Sequence, residues 1–586
     1  MNNQHYTRDK SQQILISLLK KYGINKVIAS PGSSNMTLVF SFQHDPFFKM
    51  YSCVDERSAA YMACGMAAET GEPVVLTCTE ATSSRNYLPA LTEAYYRKLP
   101  VIAIMTSHGE TTIGSYEPQV IDNSVTPVDT SVYNYKISAF YTEEQRRSLI
   151  LHINEGLNRL RFNGGGPIRF VLEIHHEPNY DVKSLPDCPI IKQYLYGDNL
   201  PQLPNGKIAI FIGSHQTFSE ATTKAIERFC ELNNAAVICD LTSNYNGKYR
   251  ISYSLIGSQE GYKSFAPAID LVIYIGSITG DYYGVNLCRS TKNFWLVNQD
   301  GAFRDRYQNL SAVFTMNECD FFKYYGNCKN KEDLSFYNEL KTQYDSMVKQ
   351  IPELPFSNIW MAQVSSGILP PNSVLHVAIN NSLRAWNFAD IPNGITGFCN
   401  VGGYGIDGGT SSFIGASLAH PQKLFFLICG DLSFFYDINV IGNRHVGNNV
   451  RILLVNNGHG QEFRFYQSPA SQFGDDTDKY VAAGGHNGAK SSTLVKHIAN
   501  DLGYEYITAS NKQEFLANYK RFFDESSKAT PIIFEVFTDN EDENTSLKKL
   551  RTILPYSPSV KDIIKDKTKK LLGERGTDIL RAAKGH

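Results

Sequence analysis

The 586-residue chain lacks most of the features that mark a specialised environment. Its eleven cysteines are scattered, with no CxxC pair and no regular spacing. Neither a disulfide framework nor a cysteine zinc site is expected, and the apolar settings of Cys78, Cys230, Cys239 and Cys429 suit buried reduced thiols. The fourteen histidines form no HExxH pattern, and the adjacency of His175 and His176 does not by itself favour a shared metal. No apolar run approaches the ~20 residues that span a bilayer. The opening residues, MNNQHYTRDKSQQILISLLKKYG, lack a signal-type apolar core and read as an amphipathic helix. A formal net charge of -2 without a basic stripe argues against nucleic-acid binding. The expectation is a cytoplasmic protein with neither nucleic-acid nor membrane partners. The dinucleotide fingerprint is also missing, because FIGSHQTFSE has one glycine after its strand and no GxGxxG, so no flavin is expected.

What is present is a repeated alternation of amphipathic stretches and short apolar runs. SQQILISLLKKYG and SAAYMACGMAAETG read as helices closed by glycine. KVIAS, PVVLTCT, PVIAIMTS and GPIRFVLEI read as the strands of a first unit. KIAIFIGS, AAVICDL, LVIYIGS and FWLVNQD mark a second, and SVLHVAIN, KLFFLICGD, VRILLVNNG and TPIIFEVF a third. Such alternation predicts α/β architecture with parallel sheets doubly wound by helices. Three domains are expected, over residues 1–185, 186–355 and 356–540, followed by a charged helical tail over 541–586.

Two runs in the third unit stop abruptly. LFFLIC ends at Gly430-Asp431, and RILLV ends at Asn456-Asn457 about 25 residues further on. Continuous apolar runs of this length suit strands buried on both faces. Ligands of open α/β sheets sit beyond the carboxyl ends of the strands, so these two ends would place oxygen donors side by side. Such donors suit Mg2+, a hard cation that prefers about six oxygens and shares them with phosphate groups.

The Gly430-Asp431-Leu432-Ser433 segment with its downstream asparagine pair resembles the signature of thiamin-diphosphate-dependent enzymes. The resemblance implies that the three domains are of the thiamin-diphosphate-dependent decarboxylase type, binding pyrimidine, neither, and diphosphate in turn. It implies Mg2+ ligands at Asp431, Asn457 and the backbone of His459. Gly430, Leu432 and Ser433 would face the diphosphate, where helix-start amides favour an anion. Glu56, in VDERSAAYMACGMAAETG, would be the carboxylate that bonds the cofactor's pyrimidine ring. In this superfamily that glutamate and the diphosphate site come from different subunits, which implies a homodimer or homotetramer with an interfacial active site.

A closer resemblance is carried by SPGSSN (30–35), DERSAA (55–60), CTEATSSRNYLPALTEA (78–94), EPQVID (117–122), INNSLRAW (379–386), GYGIDGGTSS (403–412) and GDLSFFYDIN (430–439). These are similar to the 2-succinyl-5-enolpyruvyl-6-hydroxy-3-cyclohexene-1-carboxylate synthases of the menaquinone pathway, across the first and last domains. The match implies Ile406 as the apolar wedge under the cofactor, Asn381 and Ser382 on its substrate side, Phe463 as a neighbouring aromatic, and Gln119 near the reacting centre. Ser33 and Ser34 fall in the substrate region. That family binds substrate carboxylates with arginines, whose planar fork matches a carboxylate in bidentate fashion. Four such positions carry Ser34, Val401, Trp386 and, in the SHGE turn, Gly109. Arg384 and Arg464 are nearby in sequence and are candidates to compensate. Three readings therefore stay open. The first is a 2-oxo acid decarboxylase or carboligase, a lyase or transferase with a different carbonyl or enone acceptor. The others are the menaquinone synthase itself and a non-catalytic thiamin-fold scaffold.

Overall fold

The computed structural model describes residues 4–174, 177–327, 332–525 and 529–554. His175-His176 and the tail from residue 555 lie outside them. Two compact units divide the chain, one drawn from Met1–Gln202 with Lys292–Asn317 and the other from Leu203–Thr291 with Glu318–His586.

The architecture is α/β with three parallel sheets. The first contains β1 (Lys26–Ala29), β2 (Lys49–Ser52), β3 (Val74–Cys78), β4 (Val101–Ser107), β5 (Tyr133–Ile137) and β6 (Ile168–Glu173), in the order β2-β1-β3-β4-β6-β5. The second has seven strands: β7 (Lys192–Leu195), β8 (Ile208–Ile212), β9 (Ala235–Cys239), β10 (Arg250–Ser252), β11 (Leu271–Ile275), β12 (Phe294–Asn298) and β13 (Leu310–Thr315). The third contains β14 (Val374–Val377), β15 (Thr396–Phe398), β16 (Phe425–Gly430), β17 (Val450–Asn456), β18 (Glu505–Ala509) and β19 (Ile532–Phe537), in the order β15-β14-β16-β17-β19-β18.

Burial explains why the central strands are strands. Every residue of β3, β4 and β17 is buried, so side chains on both faces of each pleat are covered by helices. In the third sheet the chain leaves β14 for β15 on one side and then reaches β16 on the other. The order reverses between β14 and β16, and this crevice is where such sheets bind ligands. The first sheet repeats the reversal between β1 and β3.

The charged stretch expected to begin near residue 541 opens with the helix Asn540–Arg551, whose Leu547 and Leu550 are fully buried. Glu543 accepts the backbone N–H of Asn358 at 2.9 Å. No helix of the described residues is long and apolar enough to cross a membrane. All cysteines among the described residues are free.

One core residue makes the third sheet acid-sensitive. His376 of β14 is 8% exposed, lies among the rings of Phe398, Phe413 and Phe425, and has no partner for Nε2. Burial pushes its imidazole down to about 4. The unfolded chain, with an ordinary histidine near 6.5, binds this proton first. Stability is therefore present above pH ~6.5 and falls as pH drops toward 4, by about 1.4 kcal/mol per unit and ~3 kcal/mol in all. Denaturant midpoints at pH 7.5 and 5 should show about 2 kcal/mol of this loss in the wild type and a smaller one in His376→Leu. An equal loss in both would move the acid sensitivity elsewhere.

Candidate active site

Four loops, following β14, β15, β16 and β17, line one cavity. Asn381, Ser382, Ile406, Gly430, Asp431, Leu432, Ser433, Asn457, His459 and Phe463 all line it. Asn380, at the exit from β14, has φ 70° and ψ −117°. A non-glycine residue in that region is strained, and the strain turns the chain sharply so that Asn381 and Ser382 start a helix at the cavity wall.

Asp431 begins the short helix Asp431–Tyr436 and is 3% exposed. Burial is the main reason its carboxyl is pushed up to about 7, with the charge of Glu535 adding to it. The N–H groups of Leu432, Asp431 and Gly458 oppose the shift. Asn457 sits opposite, its Oδ1 taking only a long 3.5 Å bond from the His459 amide. The neighbouring asparagine does something different. Asn456 donates to buried Glu535 at 2.7 Å, and Tyr506 donates to the other oxygen at 2.7 Å. Asn456 thus braces β17 against β19, while Asn457 faces the cavity. Ser433 donates to the carbonyl of Ile406 at 2.8 Å, fixing the loop that carries that side chain.

Among the described residues no group of three or more His, Cys, Asp or Glu could hold a metal ion. The protein instead offers one buried carboxylate with neutral amide and carbonyl oxygens. That donor set is too sparse for a fully enclosed ion, but it fits a cation that shares ligands with a phosphate group. A buried carboxylate without a cationic partner is costly, which is the same fit seen from the protein's side.

The other unit carries its own polar cluster. Glu56 opens the helix Glu56–Thr70 and is half-buried, while Asp55 caps the helix by accepting from the amides of Arg57 and Ser58. Ser33 is exposed. Ser34 is buried, with its hydroxyl 2.6 Å from that of Thr106 and bonded to Thr79. Gln119 is exposed on a loop with φ 66°. Sequence reasoning missed a pair here. Glu80, 2% exposed, accepts from the His108 amide at 2.8 Å, His108 Nδ1 at 2.7 Å and Ser107 Oγ at 3.0 Å. A carboxylate on Nδ1 fixes the tautomer and the direction of the ring. The available signal was an acid and a histidine just past the ends of adjacent strands.

The candidate compensating arginines separate. Arg464 bonds the carbonyl of Gly474 and pairs with Asp475 at 3.1 Å, holding a loop outside the cavity lining. Arg384 is 7% exposed at its side chain and pairs with Glu462 at 2.7 Å. Trp386 is fully buried, its indole N–H on Asn358 Oδ1 at 3.2 Å, and Val401 is buried as well.

The α/β fold with three parallel sheets, and polar loops at the switch point of the third, is consistent with the fold of thiamin-diphosphate enzymes. Residues 9–125 match the family described as thiamine pyrophosphate enzyme, N-terminal TPP binding domain. Along nearly its whole length the chain is a distant relative of proteins named 2-succinyl-5-enolpyruvyl-6-hydroxy-3-cyclohexene-1-carboxylate synthase. That of Bacteroides fragilis is 28% identical over 572 residues, covering 93% of this chain and 98% of the relative. That of Bacteroides thetaiotaomicron is 28% identical over 565 residues, with the same coverage. That of Porphyromonas gingivalis is 25% identical over 593 residues, covering 94% and 98%. The similarity therefore runs through the middle domain, where the sequence motifs did not.

Proposed function

We propose that this chain is a thiamin-diphosphate- and Mg2+-dependent enzyme that decarboxylates a 2-oxo acid and transfers the remaining carbon unit to a carbonyl acceptor. The observation that carries this reading is the meeting of Asp431, Asn457 and His459 beyond adjacent strands, in one cavity with Ile406 and Ser382. Asp431 and Asn457 would hold Mg2+ with a backbone oxygen at His459, and the start of the Asp431–Tyr436 helix would face the diphosphate. Ile406 would support the cofactor from below, and Glu56 would bond its pyrimidine ring. The cofactor supplies the electron sink that makes loss of CO2 from a 2-oxo acid possible, while the protein positions it and keeps water out.

The substrate differs, on this reading, from that of the named synthases. Ser34 has its hydroxyl engaged by two neighbours, and Trp386 and Val401 are core residues. None of them can bind a substrate carboxylate as an arginine fork does. The assembly is a homodimer or a pair of homodimers.

The test has two steps. Calorimetry should detect thiamin diphosphate binding that requires Mg2+. Release of CO2 should then be measured from pyruvate, 2-oxoglutarate and other 2-oxo acids, with and without isochorismate or simple aldehydes. Release from a small 2-oxo acid supports the proposal, and product from 2-oxoglutarate with isochorismate would instead make the chain a menaquinone-pathway synthase. Absence of cofactor binding would point to a thiamin-fold scaffold.

A further inference from the structure

A second cavity adjoins the first, and the two share Glu462 and Phe463 as lining residues. It is the larger of the two, about 420 Å3. Arg384, Tyr282, Tyr283 and Arg551 are among its lining residues. Arg384 lies between two rings, 4.4 Å from the centre of Tyr282 and 5.3 Å from that of Phe465. Tyr282 also donates to the Asn380 side chain at 3.1 Å, which ties this cavity to the strained turn after β14. Arg551 arrives on the helix Asn540–Arg551 and is held there by the Ser258 carbonyl at 3.0 Å and the Tyr466 hydroxyl.

Two arginines would ordinarily signal an anionic ligand, but here each already has a carboxylate. Arg384 pairs with Glu462 at 2.7 Å, and Arg551 lies 3.5 Å from Glu260. A ligand carboxylate or phosphate beside Arg384 would also meet Glu462. The side chains of Arg384 and Glu462 stay 7% and 30% exposed, so the ion pair presents a donor edge and an acceptor edge to the cavity. A hydroxyl group donates and accepts at once, so it can serve both sides of the ion pair, whereas an anion can only accept. Tyr282 and Phe463, 38% and 40% exposed, offer apolar faces for the C–H surface of a hydroxylated chain or ring.

We propose that this second cavity is the acceptor subsite and that it takes an uncharged polyhydroxylated aldehyde or ketone, sugar-like in chemistry. Arg384 and Glu462 act as the specificity-determining pair. The proposal rests on the carboligase reading above, which supplies the need for an acceptor beside the cofactor cavity.

The test is binding, followed by ligand-observed NMR, of D-glyceraldehyde and D-glyceraldehyde 3-phosphate to the full chain, with and without thiamin diphosphate and Mg2+. The neutral aldehyde is expected to bind at least tenfold more tightly than its phosphate. Glu462→Gln leaves Arg384 unbalanced and should shift that ratio at least tenfold toward the phosphate. Arg384→Gln leaves Glu462 unbalanced and should weaken both ligands, the phosphate more than the neutral aldehyde. Arg551→Gln, which also lines the cavity, should weaken the neutral aldehyde even if Arg384→Gln fails to fold, which circular dichroism would reveal. Equal or tighter binding of the phosphate by the wild type overturns the proposal, as does a ratio unmoved by Glu462→Gln. The two readings also fail separately. Neutral-aldehyde binding without any CO2 release from 2-oxo acids counts against the enzyme reading but not the subsite. CO2 release with no preference for the neutral aldehyde counts against the subsite alone.

Discussion

Replacing Asp431 by asparagine should abolish Mg2+-dependent cofactor binding while leaving the unliganded protein at least as stable as the wild type. The two halves of this result have one cause. Asp431 is 3% exposed and has amide donors but no cation beside it. Burying a carboxylate without a positive partner opposes folding, and asparagine keeps the shape and one acceptor oxygen while removing the charge. In the presence of Mg2+ the balance inverts, because a hard cation needs anionic oxygen. Loss of this one carboxylate from so sparse a ligand set should weaken thiamin diphosphate binding by roughly 100-fold or more, the upper range for disturbing even the groups around a metal's ligands. Ligand at 100 times its Kd stabilises the folded state by about 2.7 kcal/mol, and this is the part the variant should lose. The measurement is the thermal midpoint of both proteins, with and without saturating thiamin diphosphate and Mg2+. An Asp431→Asn protein that keeps its cofactor-induced rise would remove Asp431 from the metal site.

The strands that can be read from the sequence, and those that cannot, divide by position in the sheet. KVIAS, PVVLTCT, PVIAIMTS and GPIRFVLEI became β1, β3, β4 and β6, the four inner strands of the first sheet. Its edges, β2 (KMYS) and β5 (YNYKI), went unread. The same holds for β10 and β7 at the edges of the second sheet and β15 and β18 at the edges of the third. Inner strands are covered on both faces and must be apolar throughout, while an edge strand is short and half exposed and leaves no such pattern. Only β13 is an inner strand that escaped notice. Its LSAVFT holds an unbroken apolar run of only three residues, 312–314, between half-buried Ser311 and Thr315.

The site divides in a similar way. Residues supplied by strand ends share one cavity because the backbone places them there: Gly430, Asp431 and Ser433 after β16, Asn457 and His459 after β17, and Asn381 and Ser382 after β14. Residues that act through a pairing across the fold were not legible. Glu462 has meaning only beside Arg384, 78 positions earlier in the chain, and Arg551 reads in sequence as one more charge in a lysine-rich tail. Sequence proximity made Arg464 as good a candidate as Arg384, and only the packing separates them.

Glu56→Gln should slow turnover by roughly 100-fold or more, the usual scale for removing a positioned proton-transfer group, yet leave Mg2+-dependent cofactor binding largely intact. The glutamate is half-buried in the first turn of its helix, where the Asp55 cap fixes the backbone, so the amide should be tolerated structurally. Glu56→Gln and Asp431→Asn would then be inactive for different reasons, one in proton handling and one in cofactor anchoring, and this difference gives access to the assembly. In a symmetric dimer whose sites each take Glu56 from one chain and Asp431 from the other, a mixed dimer of the two variants has one site with both native residues and one with neither. Equimolar mixing with free exchange makes half the dimers mixed, so roughly a quarter of wild-type activity should return. Co-expression with two affinity tags, followed by assay of the doubly purified species, isolates the mixed dimer, which should reach about half. No recovery in dimers shown to be mixed would mean that both residues serve one site within one chain. Full activity in Glu56→Gln alone would take Glu56 out of the chemistry.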